Sequence, residues 1–228
     1  ARAKVGAFLG VGADELLFSD GTDEGIHVLL QTYVEPGDEV LIPWPAFPMY
    51  RFYTEVAGAV PLTIPMREPD LSFPEDELLA AVGPRTRAIL IANPNNPTGG
   101  AVPLKSIERV LAAAPGAAVL IDEAYFEFHG ETAIPLVGRY PNLFVSRTFS
   151  KAYGLAGLRV GCVVSQAENV AAMRKGQSPY SVNALGIVCA LAAIEDTVYV
   201  ERYVAEVLEA RGRLLEALDR LGVRYFPT

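Results

Sequence analysis

The sequence predicts an α/β protein with three layers, in which a mainly parallel sheet lies between two layers of helices. Apolar runs of strand length alternate along the chain with amphipathic runs of helical length, the order that successive β-α-β units produce. Several apolar runs contain no polar alternation, which is typical of strands covered on both faces. We expect this large domain to occupy residues 1–197 and a small C-terminal α+β domain to begin in 198–228.

The individual elements follow from local patterns. Ala1, Val5 and Phe8 have helical spacing and predict a first helix, and a short strand precedes Gly21. Further strands are predicted at 39–43, 59–65, 87–93, 117–122, 142–147 and 159–165. Helices are predicted between them at 22–34, 46–57, 75–82 and 103–113. Beyond residue 165 the pattern is helical at 167–176, 181–196 and 199–222, with a weak strand at 223–226.

The charge balance argues against some classes of partner. The 228 residues include 27 acidic and 19 basic side chains, whereas nucleic acids and anionic membranes require a basic surface. No apolar run reaches the ~18 residues of a membrane span, and no signal sequence opens the chain. We therefore expect a soluble protein of the cytoplasm.

The cysteines and histidines predict neither a disulfide nor a metal site. Cys162 and Cys189 stand far apart in apolar runs, so we expect both thiols to be buried. His27 and His129 cannot form a metal cluster by themselves.

Unusual loops follow several predicted strands, at the sheet edge where ligands of open α/β sheets bind. The loop at 91–103 contains three asparagines and three prolines. These are common turn residues, so a simple turn is one interpretation. Three amides on a stiff backbone also suit contact with the substituents of a planar ligand.

Three further loops contain groups suited to a charged or planar ligand. Asp122 ends a predicted strand and either caps the next helix or faces a bound cation, such as a protonated ring nitrogen. Thr22 and Asp23 open a helix, and the free amides of a helix start bind anions unless they are capped. Phe47 lies among prolines and either packs on the core or stacks on a planar ligand.

The stretch SRTFSKAYGLAGLRVG at 146–161 contains a single lysine among small residues. Lys151 can act as an amine nucleophile. Thr148, Ser150 and Arg159 supply hydrogen-bond donors, and the arginine fork fits a phosphate group. The loops together require a ligand with an electrophilic carbonyl, a phosphate, and an aromatic ring with a protonatable nitrogen and a hydroxyl. Pyridoxal 5'-phosphate has all of these features.

The chain resembles the fold-type I pyridoxal-phosphate aminotransferases, and within them the histidinol-phosphate aminotransferase branch. Four motifs carry the resemblance, in the family's order and spacing: NPNNPTG at 93–99, DEAY at 122–125, RTFSK at 147–151 and GLAGLRVG at 154–161. These motifs are more specific for the superfamily than for the branch.

The resemblance implies a role for each candidate residue. Lys151 would bond covalently to the cofactor and move a proton, and Asp122 would pair with the ring nitrogen. The remaining cofactor contacts would come from Tyr125 and Asn96 at the ring hydroxyl, Phe47 on the ring face, and Thr22, Asp23, Thr148, Ser150 and Arg159 around the phosphate.

The resemblance also implies a homodimer that exchanges an amino group between histidinol phosphate and 2-oxoglutarate. Aromatic amino-acid aminotransferases, a threonine-phosphate decarboxylase and a non-enzymatic regulatory domain are the alternatives. Family members carry further segments at both ends, which supply a tyrosine for the partner subunit's site and an arginine for the substrate carboxylate. We therefore expect this chain alone to transaminate poorly.

Overall fold

The computed structural model describes residues 1–226. Within this range seven strands are formed: β1 Leu16–Asp20, β2 Glu39–Trp44, β3 Val60–Pro65, β4 Thr86–Ala92, β5 Ala118–Asp122, β6 Leu143–Thr148 and β7 Val160–Val164. The α-helices of the same range are α1 Arg2–Leu9, α2 Gly21–Tyr33, α3 Met49–Val56, α4 Glu75–Ala81, α5 Leu104–Ala113, α6 Ala167–Gly176, α7 Ala184–Ala193 and α8 Thr197–Arg220.

The strands form one mixed sheet in the order β1-β7-β6-β5-β4-β2-β3. Strands β3, β2, β4, β5 and β6 are parallel, whereas β7 is antiparallel to both of its neighbours. Because parallel neighbours end at the same edge, the carboxyl ends of β4, β5 and β6 lie side by side. The register places Asp122 between Ala92 and Ser146 at this edge.

Helices cover both faces of the sheet. On one face, Leu29 of α2 and Met173 of α6 pack in a cluster of buried hydrophobic residues, here called the first core. On the other face, Leu78 of α4 and Ile107 of α5 pack in a separate cluster of buried hydrophobic residues, the second core. All four side chains are completely removed from solvent. The predicted three-layer α/β/α class with a mainly parallel sheet is therefore confirmed.

The alternation of side chains along β5 separates these two cores. Leu120 packs in the first core and Ile121 in the second. Successive strand residues point to opposite faces, so Asp122 continues the side of Leu120, and Glu123 continues the side of Ile121. Two adjacent carboxylates thus face different surroundings.

Most predicted elements agree with the structure within one to three residues, but two details were wrong. Residues 223–226 form no strand, because they follow α8 and find no pairing partner among the described strands. Cys162 is buried as predicted, whereas Cys189 is only half-buried. It lies on α7, of which only Gly186 and Ala190 are buried. The predicted domain boundary at 197–198 coincides with the start of α8 and stays a prediction.

None of the described helices is both long and apolar enough to cross a membrane.

Candidate active site

A cleft opens at the carboxyl ends of β4, β5 and β6, beside the first turn of α2. Its empty volume, including the open solvent at its mouth, is about 560 Å³. All ten residues that the sequence suggested line it: Thr22, Asp23, Phe47, Asn96, Asp122, Tyr125, Thr148, Ser150, Lys151 and Arg159. The four remaining lining residues are Tyr50, Ala92, Pro94 and Ala124.

Asp122 forms the buried floor of the cleft. Its Oδ1 accepts a hydrogen bond from the Ser146 hydroxyl at 2.7 Å, and its Oδ2 accepts one from the Tyr50 hydroxyl at 2.8 Å. Burial raises the pKa of Asp122, while these two hydroxyls and the backbone N–H of Ala124 lower it, and the net pKa stays above the ordinary value. The alternative in which Asp122 caps a helix does not apply, because only a short 3₁₀ turn follows at Phe126–Phe128.

Lys151 lies in the tight loop that follows β6. The buried ring of Phe149 anchors this loop. The backbone N–H of Phe149 donates to the carbonyl of Val160 at 3.0 Å. The loop closes through the N–H of Gly154, which donates to the carbonyl of Lys151 at 3.0 Å. The Lys151 amine is then presented to the cleft, where Nζ lies 5.2 Å from the centroid of the Tyr125 ring.

Several hydrogen-bond donors gather at one end of the cleft. The first turn of α2 contributes the amides of Thr22 and Asp23, which have no carbonyl partner inside a helix. Thr148 and Ser150 line the same end. Arg159 lies there in a left-handed backbone conformation with φ 53°, and its side chain is 43% exposed.

In the described structure Arg159 is paired with carboxylates. Its Nη2 donates to Asp23 Oδ2 at 3.1 Å, and its Nε lies 3.6 Å from Asp20 Oδ1. Gly161 lets the start of α2 come this close to β7, because a side-chain Cβ there would stand 2.7 Å from the carbonyl carbon of Gly21. An incoming phosphate must therefore share Arg159 with these carboxylates or displace them.

The asparagine loop uses two of its three amides for its own structure. Asn93 exchanges two hydrogen bonds with the backbone of Val102, at 2.8 and 3.3 Å. Asn95 donates to the carbonyl of Pro45 at 3.0 Å and to the hydroxyl of Thr98 at 2.8 Å. Asn96 instead lines the cleft. Two of the amides therefore stabilise the turn, and the ligand contact expected of Asn96 stays a prediction.

Phe47 lies on the wall of the cleft, half-buried. Its ring contacts Tyr50 edge to face, with the centroids 5.8 Å apart. The same side chain therefore packs on the core and borders the cleft, so it can stack on a planar ligand.

Sequence reasoning missed two residues that contact Asp122. Ser146 could have been found, because β5 and β6 are adjacent parallel strands and position 146 is opposite position 122. Tyr50 lies one helical turn beyond Phe47, but 72 positions separate it from Asp122. Only the tertiary fold reveals this second contact.

Glu123 and Arg147, which follow Asp122 and precede Thr148 of the cleft, form a buried ion pair to which the sequence did not point. Glu123 Oε2 accepts hydrogen bonds from Arg147 Nε and from the Thr132 hydroxyl, both at 2.7 Å. Glu123 Oε1 accepts from the backbone N–H of Ala133 at 2.6 Å. The Arg147 guanidinium also stacks 3.4 Å from the ring centroid of Phe126, and this packing supports the segment that carries Tyr125.

The cleft thus combines an end with several hydrogen-bond donors, an aromatic wall, an amine and a buried carboxylate without a cationic partner among the described residues. Comparison with known proteins gives the class. The chain matches the family of class I and II aminotransferases over residues 1–228 and belongs to that family.

Several named relatives are similar to this chain. The chain is 36% identical over 229 residues to the histidinol-phosphate aminotransferase of Caldanaerobacter subterraneus, covering all of this chain and 64% of that protein. It is 40% identical over 224 residues to the enzyme of the same name from Paracoccus denitrificans, covering 97% of this chain and 60% of that protein.

A solved structure shows the same likeness. The histidinol-phosphate aminotransferase of Sinorhizobium meliloti in complex with pyridoxal-5'-phosphate superposes with a TM-score of 0.90 at 27% identity. That alignment covers all of this chain and 63% of the other. The chain therefore spans a little under two thirds of the length of the relatives it matches.

Proposed function

We propose that the protein is a pyridoxal-phosphate-dependent aminotransferase that uses histidinol phosphate as amino donor and 2-oxoglutarate as acceptor. The observation that carries this proposal is the convergence of Lys151, Asp122 and Arg159 on one cleft. An amine, a buried carboxylate and an arginine beside a helix start fit a ligand with a carbonyl, a cationic ring atom and a phosphate.

The residues of the cleft suit each part of this cofactor. The first turn of α2 and Arg159 can hold the phosphate, since free helix amides and a guanidinium both favour an anion. Asp122 lacks a cationic partner in the described structure, and a protonated ring nitrogen would provide one. Asn96 and Tyr125 offer donors for the ring hydroxyl, and Phe47 offers a flat face.

When bound, pyridoxal phosphate supplies a carbonyl for covalent attachment and a ring that withdraws electrons from the substrate. The chain's own side chains do the rest. The Nζ of Lys151 provides the attaching amine and, once free, the base that moves a proton at the substrate's α-carbon. Asp122 keeps a proton on the ring nitrogen, and Arg159 fixes the position of the phosphate.

The specific substrates rest on the relatives rather than on the cleft. Curated relatives at 36% and 40% identity are named histidinol-phosphate aminotransferases, which supports histidinol phosphate over aromatic amino acids. The homodimer is a further proposal that rests on the resemblance. The cytoplasmic location and the division into two domains are also proposals, and they rest on the sequence patterns.

Covalent labelling tests the proposal. The chain contains four lysines, at positions 4, 105, 151 and 175. After incubation with pyridoxal phosphate and reduction with borohydride, we expect the label on Lys151 by peptide mass spectrometry. Lys151→Arg should abolish labelling, while the matched Lys175→Arg should not. Label on another lysine, or no specific label, would contradict the assignment of Lys151.

Donor specificity is tested separately. The loaded protein is mixed with histidinol phosphate, phenylalanine or threonine phosphate, and the change in cofactor absorbance is followed. The fastest conversion is expected with histidinol phosphate. Faster conversion with phenylalanine would favour the aromatic alternative, and release of carbon dioxide from threonine phosphate would favour the decarboxylase.

A further inference from the structure

We propose that Tyr50 is a positioning residue for Asp122: its hydroxyl, together with that of Ser146, keeps the carboxylate ionised so that it can pair with the cofactor's ring nitrogen. The inference rests on the proposed function and deepens it. The cofactor would then depend on a side chain from α3, outside the four sequence motifs.

The geometry gives each carboxylate oxygen one hydroxyl donor. Tyr50 Oη donates to Oδ2 at 2.8 Å and Ser146 Oγ donates to Oδ1 at 2.7 Å, so the two bonds fix the plane of the Asp122 carboxylate. Tyr50 is fully buried on α3, and the Thr54 hydroxyl donates to its backbone carbonyl at 2.7 Å. Neither hydroxyl carries a charge, so the carboxylate keeps its negative charge for a ligand.

Tyr50 can act only as a donor here. Burial, and then the neighbouring Asp122 charge, raise the pKa of Tyr50 well above its ordinary value. The raised pKa favours the protonated phenol, which is the form that donates to Asp122 Oδ2. A hydrogen bond to the charged form of an acid favours that form, which opposes the effect of burial on Asp122.

Other groups near Asp122 also bear on its charge. The Asp23 carboxylate on α2 raises the pKa of Asp122, in the same direction as burial. The other titratable or charged side chains that line the cleft are those of Tyr125, Lys151 and Arg159. Of the donors to Asp122, the hydroxyls of Ser146 and Tyr50 are the side-chain groups that offset burial.

The first test needs no cofactor. Aspartate Cγ is labelled with ¹³C, the Asp122 signal is assigned from the spectrum of Asp122→Asn, and its titration is followed by NMR. A hydrogen bond to the charged carboxylate stabilises that form of the acid. Because Tyr50→Phe removes one such bond, it should raise the pKa of Asp122 by about one to two pH units. Ser146→Ala should shift it in the same direction. Tyr33→Phe is the matched control, because its hydroxyl donates to Asn169 at 3.0 Å, away from the cleft.

The second test uses pyridoxal phosphate labelled with ¹⁵N in the ring. In the loaded wild-type chain the nitrogen signal should be that of a protonated ring at neutral pH. In Tyr50→Phe it should move toward the unprotonated position, and in Tyr33→Phe it should not move. A general loss of packing would not produce this selective change.

The outcomes separate the two proposals. A wild-type chain that does not bind pyridoxal phosphate contradicts the proposed function, while the carboxyl titration still reports on Tyr50. A wild-type chain that binds the cofactor, with the same Asp122 pKa and ring-nitrogen signal in Tyr50→Phe, overturns the role of Tyr50 alone. A neutral ring nitrogen in the wild-type chain would also overturn it.

Discussion

Replacing Glu123 with Gln should destabilise the chain strongly, because it leaves the charge of Arg147 buried without an equal partner. The Glu123 side chain is 0% exposed and that of Arg147 is 8% exposed. Gln has almost the same shape, but its single oxygen replaces only one of the two carboxylate oxygens, so it can accept either from Ala133 or from Thr132 and Arg147. The substitution therefore removes the charge while it keeps most of the packing.

The expected loss follows from this burial. Breaking a buried ion pair by removing one partner costs about 3–5 kcal/mol. Glu127 Oε1 lies 3.9 Å from Arg147 Nη1 and compensates part of the charge, so the lower end applies, about 3 kcal/mol. For a chain of this size that corresponds to a melting temperature lower by roughly 6–12 °C.

Urea denaturation and thermal melting of the cofactor-free chain measure this loss. The matched control is Glu55→Gln, which breaks the exposed pair with Arg51, where the side chains are 52% and 59% exposed. That pair should contribute less than about 0.5 kcal/mol. Equal losses in Glu123→Gln and Glu55→Gln would refute the reasoning. The double variant Glu123→Leu with Arg147→Met should recover part of the loss, since apolar side chains then replace both members of the buried pair.

Three further predictions concern the cleft and the pH dependence. Asp122→Asn should bind pyridoxal phosphate nearly as well as wild type by absorbance titration but lower turnover by about a hundredfold or more, because the ring nitrogen loses its charge partner. Arg159→Lys should instead weaken cofactor binding by roughly ten- to a hundredfold, because a point charge cannot reproduce the fork; equal changes in affinity for the two variants would contradict these separate roles. Burial raises the pKa of Glu127 above its ordinary value of 4.5. The folded state therefore binds the carboxyl proton of Glu127 more tightly than the unfolded state does. The contribution of Glu127 to stability is lost as the pH rises from 4.5 through the raised value. Glu127→Gln should therefore reduce the decline of unfolding free energy over that pH range, measured by urea denaturation, and an unchanged decline would show that burial does not perturb this carboxyl.

The sequence predicted the strands well because buried parallel strands are continuous apolar runs. The run predicted at 87–93 became β4, Thr86–Ala92, shifted by one residue. The pairing of the strands was harder to predict from the sequence, because it joins segments that are far apart in the chain. β1 lies beside β7, with Leu16 opposite Val164, and no local pattern indicates that contact or its antiparallel sense.

The candidate site was predictable where a residue type is unusual for its place in the chain. A single lysine in a glycine-rich loop and an aspartate at the end of an apolar strand are such cases, and Lys151 and Asp122 both line the cleft. Tyr50 was not predictable in this way, since an aromatic residue on an amphipathic helix normally packs in the core. Tyr50 does pack there, and only the position of its hydroxyl distinguishes it.

The end of β5 carries two buried carboxylates with different surroundings: Glu123 is paired within the protein, whereas Asp122 faces the cleft. The two carboxylates are adjacent in sequence and both buried, but strand alternation sends them to opposite faces. The same alternation on β6 sends Ser146 to the side of Asp122 and Arg147 to the side of Glu123. Glu123 thus receives a guanidinium, and its charge is balanced within the protein. Asp122 receives hydroxyls, which stabilise its charge without balancing it. A buried charge in that condition is costly until a cation arrives. The cleft is therefore prepared for a ligand that places a positive atom at Asp122, and a cofactor with a protonated ring nitrogen meets that requirement.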